Sequence, residues 1–349
     1  MTCEPLEGQN TRCTQLPERL QALVQRIEQH DHLNPSLCKK LLTEAQITPD
    51  DLMAWADFDH PKEDSYGRKL VHNGGFFELM VMSWVDGDMA AIHDHGYTQW
   101  GAVQLFGHVE HAIFKVENGT LITAERKMFE PGSVVSVGHE MIHQMGNVGQ
   151  APYLTLHLYG CYERDCDVTA DARLYALDEG KIQITSGGVF FNLPESCVDR
   201  RQEAPRADFP TLLRDRVELL KRLLRTHGSF ETGTFGNARA ESLAAELFAA
   251  GTWQRCADEL RKKLATANSL ANARYLGILH QELRATAQLE RQLIAANLVA
   301  HAPEGWTAKL DELLALDDME EFGTRYLDLV SEAWDIDIPH LSLDLAAGG

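Results

Sequence analysis

The sequence predicts a β-barrel domain led in by short helices and followed by an all-helical domain, and three observations carry that prediction. The first ~55 residues place apolar side chains at helical spacing. From Tyr66 to about residue 200, short stretches rich in β-branched and aromatic residues alternate with Gly, Pro and Asn. After "PESCVDRRQEAPRADFP" the strand signals vanish, and Ala, Leu, Glu and Arg recur at helical spacing to the end. A boundary therefore falls near residue 205, giving domains 1–204 and 205–349.

Each element follows in turn. "TQLPERLQALVQRIEQH" offers Thr14 as a cap, an early Pro17, and Leu20, Leu23, Val24 and Ile27 along one helix face. "NPSLCKKLLTEAQITPDDLMAWA" predicts two more short helices. Strands are expected in "FFELMVMSWVDGD", "QWGAVQLFGHVEHAIFKV", "TLITAERKMFE", "GSVVSVG" and "YLTLHLYG", with Asn118-Gly119 as a hairpin turn. A further strand is expected in "VFFNL" near residue 190. In the second domain "TLLRDRVELLKRLLRTH", "ARAESLAAELFAAGTWQRCADELRKKLATAN", "ARYLGILHQELRATAQLERQLIAANLVAH" and "TAKLDELLALDDMEEFGTRYLDLVSEAWD" read as helices. There is no repeat of fixed period.

Composition excludes several classes. The chain has 349 residues and is 44% apolar, ordinary for a globular protein with a sizeable core. No run approaches the ~18 to 20 apolar residues of a membrane span, and the N-terminus lacks the pattern of a secretory signal. The net charge of −20 repels phosphate backbones and anionic lipid, so neither nucleic acid nor a membrane is expected as a partner. Seven scattered cysteines fit reduced thiols and a cytoplasmic location better than a disulfide framework.

Chemistry concentrates in three stretches. In "IHDHGYTQWGAVQLFG", His93 and His95 project to one face of an extended segment and Asp94 to the other, the usual start of a metal site. "PGSVVSVGHEMIHQMGN" supplies a third imidazole, with His143 preferred and His139 as its competitor. Thr98 and Gln99 stand where a fourth, carboxylate ligand would be sought. Three neutral imidazoles leave a divalent ion its full charge and open positions, suiting an anionic ligand and able to deprotonate a bound thiol. In "YLTLHLYG", Thr155, His157 and Tyr159 alternate with three leucines, so one face is polar and needs buried partners.

The His-Asp-His element with Gly107 twelve residues on, followed by Pro131-Gly132 and His143, resembles the paired motifs of cupins. Together with the Thr-x-His-x-Tyr strand and "YGRKLVHNGGFFELMVMSW", it resembles the cysteine dioxygenase family of thiol dioxygenases over roughly residues 10–200. The resemblance implies a cupin domain, a jelly-roll barrel or double-stranded β-helix. It implies Fe(2+) held by His93, His95 and His143, and a substrate carboxylate paired to Arg68 near Tyr66. Tyr159, oriented by His157 and Thr155, would hydrogen-bond the reactants. Cysteine or a related small thiol and O2 would be the partners, with a sulfinic acid as product. Alternatives are a different thiol, such as 3-mercaptopropionate or mercaptosuccinate, or a non-catalytic cupin that senses a thiol. Arg68 argues against the first residue of a peptide, which has no free carboxylate. Animal members carry a cysteine five residues after the second histidine, cross-linked to the tyrosine; here that position is Trp100, so the cross-link is not expected.

The resemblance does not reach 205–349, where the helices could supply a contact between copies of the chain (a homo-oligomer), a lid or a docking surface. Cys161 and Cys166 read as structural or incidental thiols, and His108 and His111 as surface or core residues. His280, Glu282 and Glu290 read as solvated helix faces, and "THGSFETGTFGNA" as a loop.

Overall fold

The computed structural model describes residues 15–164, 166–266, 269–299 and 303–339. The chain divides into two compact units. One runs to Gly119 and resumes over Ala124–Arg206; the other takes Thr120–Thr123 and the chain from Ala207.

The first unit begins with α1 (Glu18–Glu28), α2 (Pro35–Ala45) and α3 (Pro49–Leu52). Thr14, the expected cap of α1, lies outside the described residues, and Pro17 takes the cap position. Asn34 caps α2 by accepting from the Leu37 N–H at 2.9 Å. Thr48 and Asp51 form a reciprocal capping box at α3. The strands follow: β1 (Gly67–Asn73), β2 (Phe77–Trp84), β3 (Trp100–Leu105), β4 (Val109–Glu117), β5 (Thr120–Phe129), β6 (Val134–Gly138), β7 (Ile142–Gly146), β8 (Tyr153–Gly160), β9 (Ala172–Ala176), β10 (Lys181–Thr185), β11 (Arg200–Glu203) and β12 (Arg206–Ala207).

They form a five-stranded sheet in the order β1-β2-β8-β3-β6, a four-stranded one, β12-β5-β4-β7, and a three-stranded one, β11-β10-β9. Asn118 and Gly119 turn between β4 and β5 with φ of 51° and 75°, the left-handed pair a two-residue hairpin requires. Met80, Met82, His157 and Tyr159 of the five-stranded sheet and His143 and Met145 of β7 line one cavity, so the sheets face each other across it. This is the cupin jelly-roll architecture.

Both faces of the central strands are occupied. Every residue of β2 and β8 is buried, as expected of strands covered on two sides. Leu79, Val81, Leu154, Leu156 and Leu158 join one apolar cluster with Leu20, Leu23, Ile27, Leu41 and Leu42 of α1 and α2. The alternate residues turn to the cavity. The N-terminal helices thus shield the outer face of the sheet whose inner face carries the polar row.

One sequence expectation fails here. "VFFNL" is not a strand: the Val189 N–H donates to the Tyr66 hydroxyl (3.2 Å) and the Phe191 N–H to the Ser65 Oγ (3.1 Å), while Phe190 and Phe191 are buried. Side chains rather than a neighbouring strand satisfy that backbone. Cys161 and Cys166, read as structural or incidental thiols, lie near each other after β8, with Cα atoms 7.1 Å apart.

The second unit holds α4 (Phe209–His227), α5 (Ala238–Leu247), α6 (Ala250–Leu264), α7 (Ser269–Ala295), α8 (Trp306–Leu314) and α9 (Met319–Trp334). Helix α7 packs on α4, α8 and α9, and that enclosure overturns the reading of its polar residues as solvated. His280, Glu282 and Glu290 are all buried. Glu282 pairs with Arg214 at 3.1 Å. Glu290 accepts from the Trp306 indole N–H (2.9 Å) and the Tyr326 hydroxyl (2.8 Å). Among the described residues no helix is long and apolar enough to cross a membrane.

Burial pushes the Glu290 carboxyl from 4.5 up to about 7, against the opposing pull of its two donors. The folded state therefore holds a proton that the unfolded chain has released. The stability this confers is complete below about pH 4.5 and is lost as pH rises through 7. Glu290→Gln keeps one acceptor oxygen, turns an amide N–H toward the other donor and carries no titrating proton, so it should fall less in urea midpoint over that window. Urea unfolding followed by far-UV circular dichroism across the same pH range checks this; parallel wild-type and variant curves would contradict it.

Candidate metal centre and its cavity

The site is built on a short extended segment and two strands. His93 is not within a regular strand, contrary to expectation. It forms isolated bridges to His143 of β7 and Leu174 of β9, and so spans the gap between two strands. Its N–H donates to the His143 carbonyl at 3.0 Å, and the His143 N–H returns to the His93 carbonyl at 2.8 Å. The segment is nevertheless extended, so the expected alternation holds. Asp94 points away, accepting from the N–H of Gly96 (3.1 Å) and of Arg173 (3.0 Å) and pairing with the Arg173 guanidinium. That clamp fixes the two flanking histidines from behind.

His93, His95 and His143 each present one ring nitrogen within 4.8 Å of the others, and all three are buried. Hydrogen bonding assigns the tautomer of His93: its Nδ1 lies 2.8 Å from the Ala91 carbonyl, which only accepts, so Nδ1 carries the hydrogen and Nε2 a lone pair. That Nε2 stands 3.1 Å from Nε2 of His143. On the far side, His143 Nδ1 is 2.9 Å from Nε2 of His111. Neither nitrogen of His95 has a hydrogen-bond partner, though both are buried. Unpartnered imidazole nitrogens in a dry pocket are costly unless a cation takes them up, and this donor set fits a divalent transition ion. His139, the rival third ligand, is elsewhere: its Nδ1 meets the Thr98 carbonyl at 3.0 Å.

Burial holds these imidazoles uncharged. It pulls His93 down to about 4 and His157 to about 3, and drives His95 and His143 well below the ordinary histidine value; the mutual repulsion of neighbouring imidazoles adds to it. Neutral rings are the state a metal requires.

Beside the cluster runs a hydrogen-bonded row on β8. The Trp84 indole N–H donates to Thr155 Oγ1 (3.0 Å), Thr155 Oγ1 lies 2.7 Å from His157 Nε2, and His157 Nδ1 lies 2.8 Å from the Tyr159 hydroxyl. In one arrangement of this row Thr155, while accepting from Trp84, donates its hydrogen to His157 Nε2. His157 then donates from Nδ1 to the Tyr159 oxygen, leaving the phenolic hydrogen for the cavity. Burial pushes the Tyr159 phenol far above its usual value, so it stays protonated. The Tyr159 ring sits 5.0 Å from that of His95.

The cavity is lined by these groups with Tyr66, Arg68, Thr169 and an apolar wall of Met80, Met82, Met145 and Val189. The half-buried Arg68 donates to Thr169 Oγ1 at 3.3 Å, and Thr169 to Glu78 at 3.4 Å. Tyr66 is buried against Trp84 and Phe190, and its oxygen is engaged by the Val189 N–H. The residue opposite Tyr159 across the strand pair is Gly101, where an added Cβ would come 2.7 Å from the tyrosine ring. Trp100 turns instead to the outer apolar cluster. No cysteine faces Tyr159 from either position.

Three residues of this site escaped the sequence reading. Thr169 lay in no quoted motif, and Trp84, the last residue of "YGRKLVHNGGFFELMVMSW", was given no role. His111, read as an unremarkable surface or core histidine, contacts a predicted ligand; its place two residues from the cross-strand partner of His143 was the only signal.

Comparison with known proteins points the same way. Residues 9–167 match the family model "Cysteine dioxygenase type I". The cysteine dioxygenase type 1 of Danio rerio is 29% identical over 160 residues, covering 43% of this chain and 78% of that protein. The Rattus norvegicus protein of the same name is 28% identical over 135 residues, covering 37% of this chain and 66% of its own length. Among solved structures, a Thermus thermophilus protein aligns over 33% of this chain and 97% of its own at 16% identity, with a TM-score of 0.27. A Klebsiella pneumoniae protein described as having a double-stranded β-helix domain covers 34% of this chain and 90% of its own, at 14% identity and a TM-score of 0.25. The N-terminal part of this chain, which carries the three buried histidines, is similar to the cysteine dioxygenase family.

Proposed function

We propose that the first unit is an iron-dependent thiol dioxygenase that converts cysteine, or a related small thiol carboxylate, and O2 to the sulfinic acid. The observation that carries this reading is the cluster of three neutral imidazoles, with no carboxylate among them, sharing one cavity with an arginine and a tyrosine hydroxyl. His93, His95 and His143 would hold Fe(2+). When bound, the ion would acidify a thiol and bring it together with O2. Sulfur is oxidised by four electrons, dioxygen is reduced, and both oxygen atoms end on sulfur.

The chain's own residues account for the rest. Arg68 offers a guanidinium to the substrate carboxylate, a charge-assisted pair that fixes one end of a small molecule. The apolar wall of Met80, Met82, Met145 and Val189 accepts the methylene carbons and limits water. The phenolic hydrogen of Tyr159, left free by the Trp84–Thr155–His157 row, is donated to the reactants at the end of the cavity nearest His95. That row supplies orientation at no reorganisation cost during the reaction. Apart from Thr120–Thr123, the second unit lies outside the family match.

Oxygen uptake by the iron-loaded protein against a panel of small thiols, with sulfinate detected by mass spectrometry, tests the proposal. Binding of thiols without uptake would instead mark a sensor. Arg68→Ala should cost carboxylate-bearing thiols about 2 kcal/mol, the low end for a buried charge pair because Arg68 is only half-buried. Its KM should rise ~30-fold, while a thiol without a carboxylate changes little; equal effects on both would remove the assignment of Arg68. His143→Ala should lose bound metal on purification and His139→Ala should keep it, as read by elemental analysis.

A further inference from the structure

His111 lies behind the cluster on β4, and its Nε2 is 2.9 Å from Nδ1 of His143. The contact is built by strand register. His143 pairs with Ile113 and Met145 with His111, so the two imidazoles are diagonal neighbours on one face. His111 is buried, with its ring edge toward Phe129 at 5.6 Å. Its Nδ1 is buried without a hydrogen-bond partner.

We infer that His111 is a positioning residue for the metal site: as a neutral imidazole it accepts the Nδ1 hydrogen of His143 and thereby aims the His143 Nε2 lone pair at the ion. Two arrangements fit the 2.9 Å contact. Either His143 donates to His111, or His111 donates to His143. In the second case His143 would carry its hydrogen on Nε2, pointing at His93. His93 cannot adapt, since the Ala91 carbonyl already holds its hydrogen on Nδ1. Only the first arrangement leaves both Nε2 lone pairs, 3.1 Å apart, directed at a shared cation. It also places the hydrogen of His111 on Nδ1, the atom left without a partner. The protein tolerates one orphaned donor beside an aromatic ring in return for a fixed ligand.

The choice of acceptor has a chemical consequence. Histidine ligands commonly donate their second N–H to a carboxylate or a carbonyl. Here His93 uses a carbonyl and His143 an uncharged ring, so neither hydrogen bond puts a negative charge on a ligand. The ion's charge then stays available for an anionic ligand in front. This rests on the three histidines being a metal site, the first part of the reading above, and not on thiol oxidation.

The test measures Co(2+) affinity anaerobically by competition with a chromophoric chelator, together with the paramagnetically shifted N–H proton resonances of the Co(2+)-loaded protein. His111→Leu removes the acceptor and should weaken Co(2+) ~10- to 100-fold, with the His143 N–H signal becoming exchange-labile. His111→Gln presents a carbonyl oxygen and should restore most of the affinity and the signal. His111→Glu should bind Co(2+) at least as tightly as the parent yet bind a thiolate ligand more weakly, read from the cobalt–sulfur charge-transfer band. Unchanged affinity and unchanged N–H exchange in His111→Leu would overturn the inference while leaving the metal site intact. If His111→Leu does not fold, the Gln and Glu variants decide, and a Glu variant matching the parent in thiolate binding overturns it. Failure of the unmutated protein to bind Co(2+) would instead remove the metal reading itself.

Discussion

Two imidazole nitrogens facing each other at 3.1 Å in a buried cavity are the constraint around which the first unit is arranged. His93 cannot move its hydrogen to Nε2 without giving up its bond to the Ala91 carbonyl, so the contact is either a hydrogen bond donated by His143 or two lone pairs that a cation bridges. The pair is held by the reciprocal backbone bridge between His93 and His143, which also ties the loop after β2 to β7. A bridge of this kind is rigid because both residues are buried and both exchange hydrogen bonds. The geometry that a cation needs is therefore set by main chain, and the second ring nitrogens only choose the tautomer.

Charge in the cavity runs against that of the molecule. The chain carries −20, yet at the cavity the histidines are uncharged and the one lining acid, Asp94, is paired with Arg173, which leaves the Arg68 charge. The acid behind Arg68, Glu78, is not part of the lining and is linked to the arginine through Thr169. Burial raises the Glu78 carboxyl above its usual range, and the Arg68 charge draws it back down. The arginine is thus buffered by its own protein without being quenched by a direct ion pair. An incoming carboxylate meets a donor that is already oriented.

Much of this was legible in the sequence, for reasons that can be named. The alternation of Leu154, Leu156 and Leu158 with Thr155, His157 and Tyr159 announced a strand with two different buried faces. Each face then found the expected kind of partner, helices on one side and hydrogen bonds on the other. His93 and His95 were legible as a pair because any extended chain alternates. Their segment is not a regular strand because the bridges come singly, to two different strands, which no local pattern encodes. Strand β7 is five residues long and ends in Gly146, too short to show a period, although it carries His143. His111 was visible only as one more histidine, since its meaning lies in a partner 32 residues away. In α7 the polar residues were misread because periodicity reports a single buried face, whereas this helix is covered by three neighbours.

The outer face of β8 bears on the inner one. Leu156 and Leu158 are wholly buried in the cluster with α1 and α2, and between them the chain must present His157 to the cavity with its ring plane fixed. A one-residue slip of a strand sends every side chain to the opposite face, and burial of a face resists it. Here the alternative register would place leucines against three imidazoles and a histidine against the helices, stranding polar groups on both sides. The cost of that exchange is what holds the Tyr159 hydroxyl at the cavity. The N-terminal helices contribute to the chemistry without touching it, since covering the leucines makes the polar register the only one available to β8.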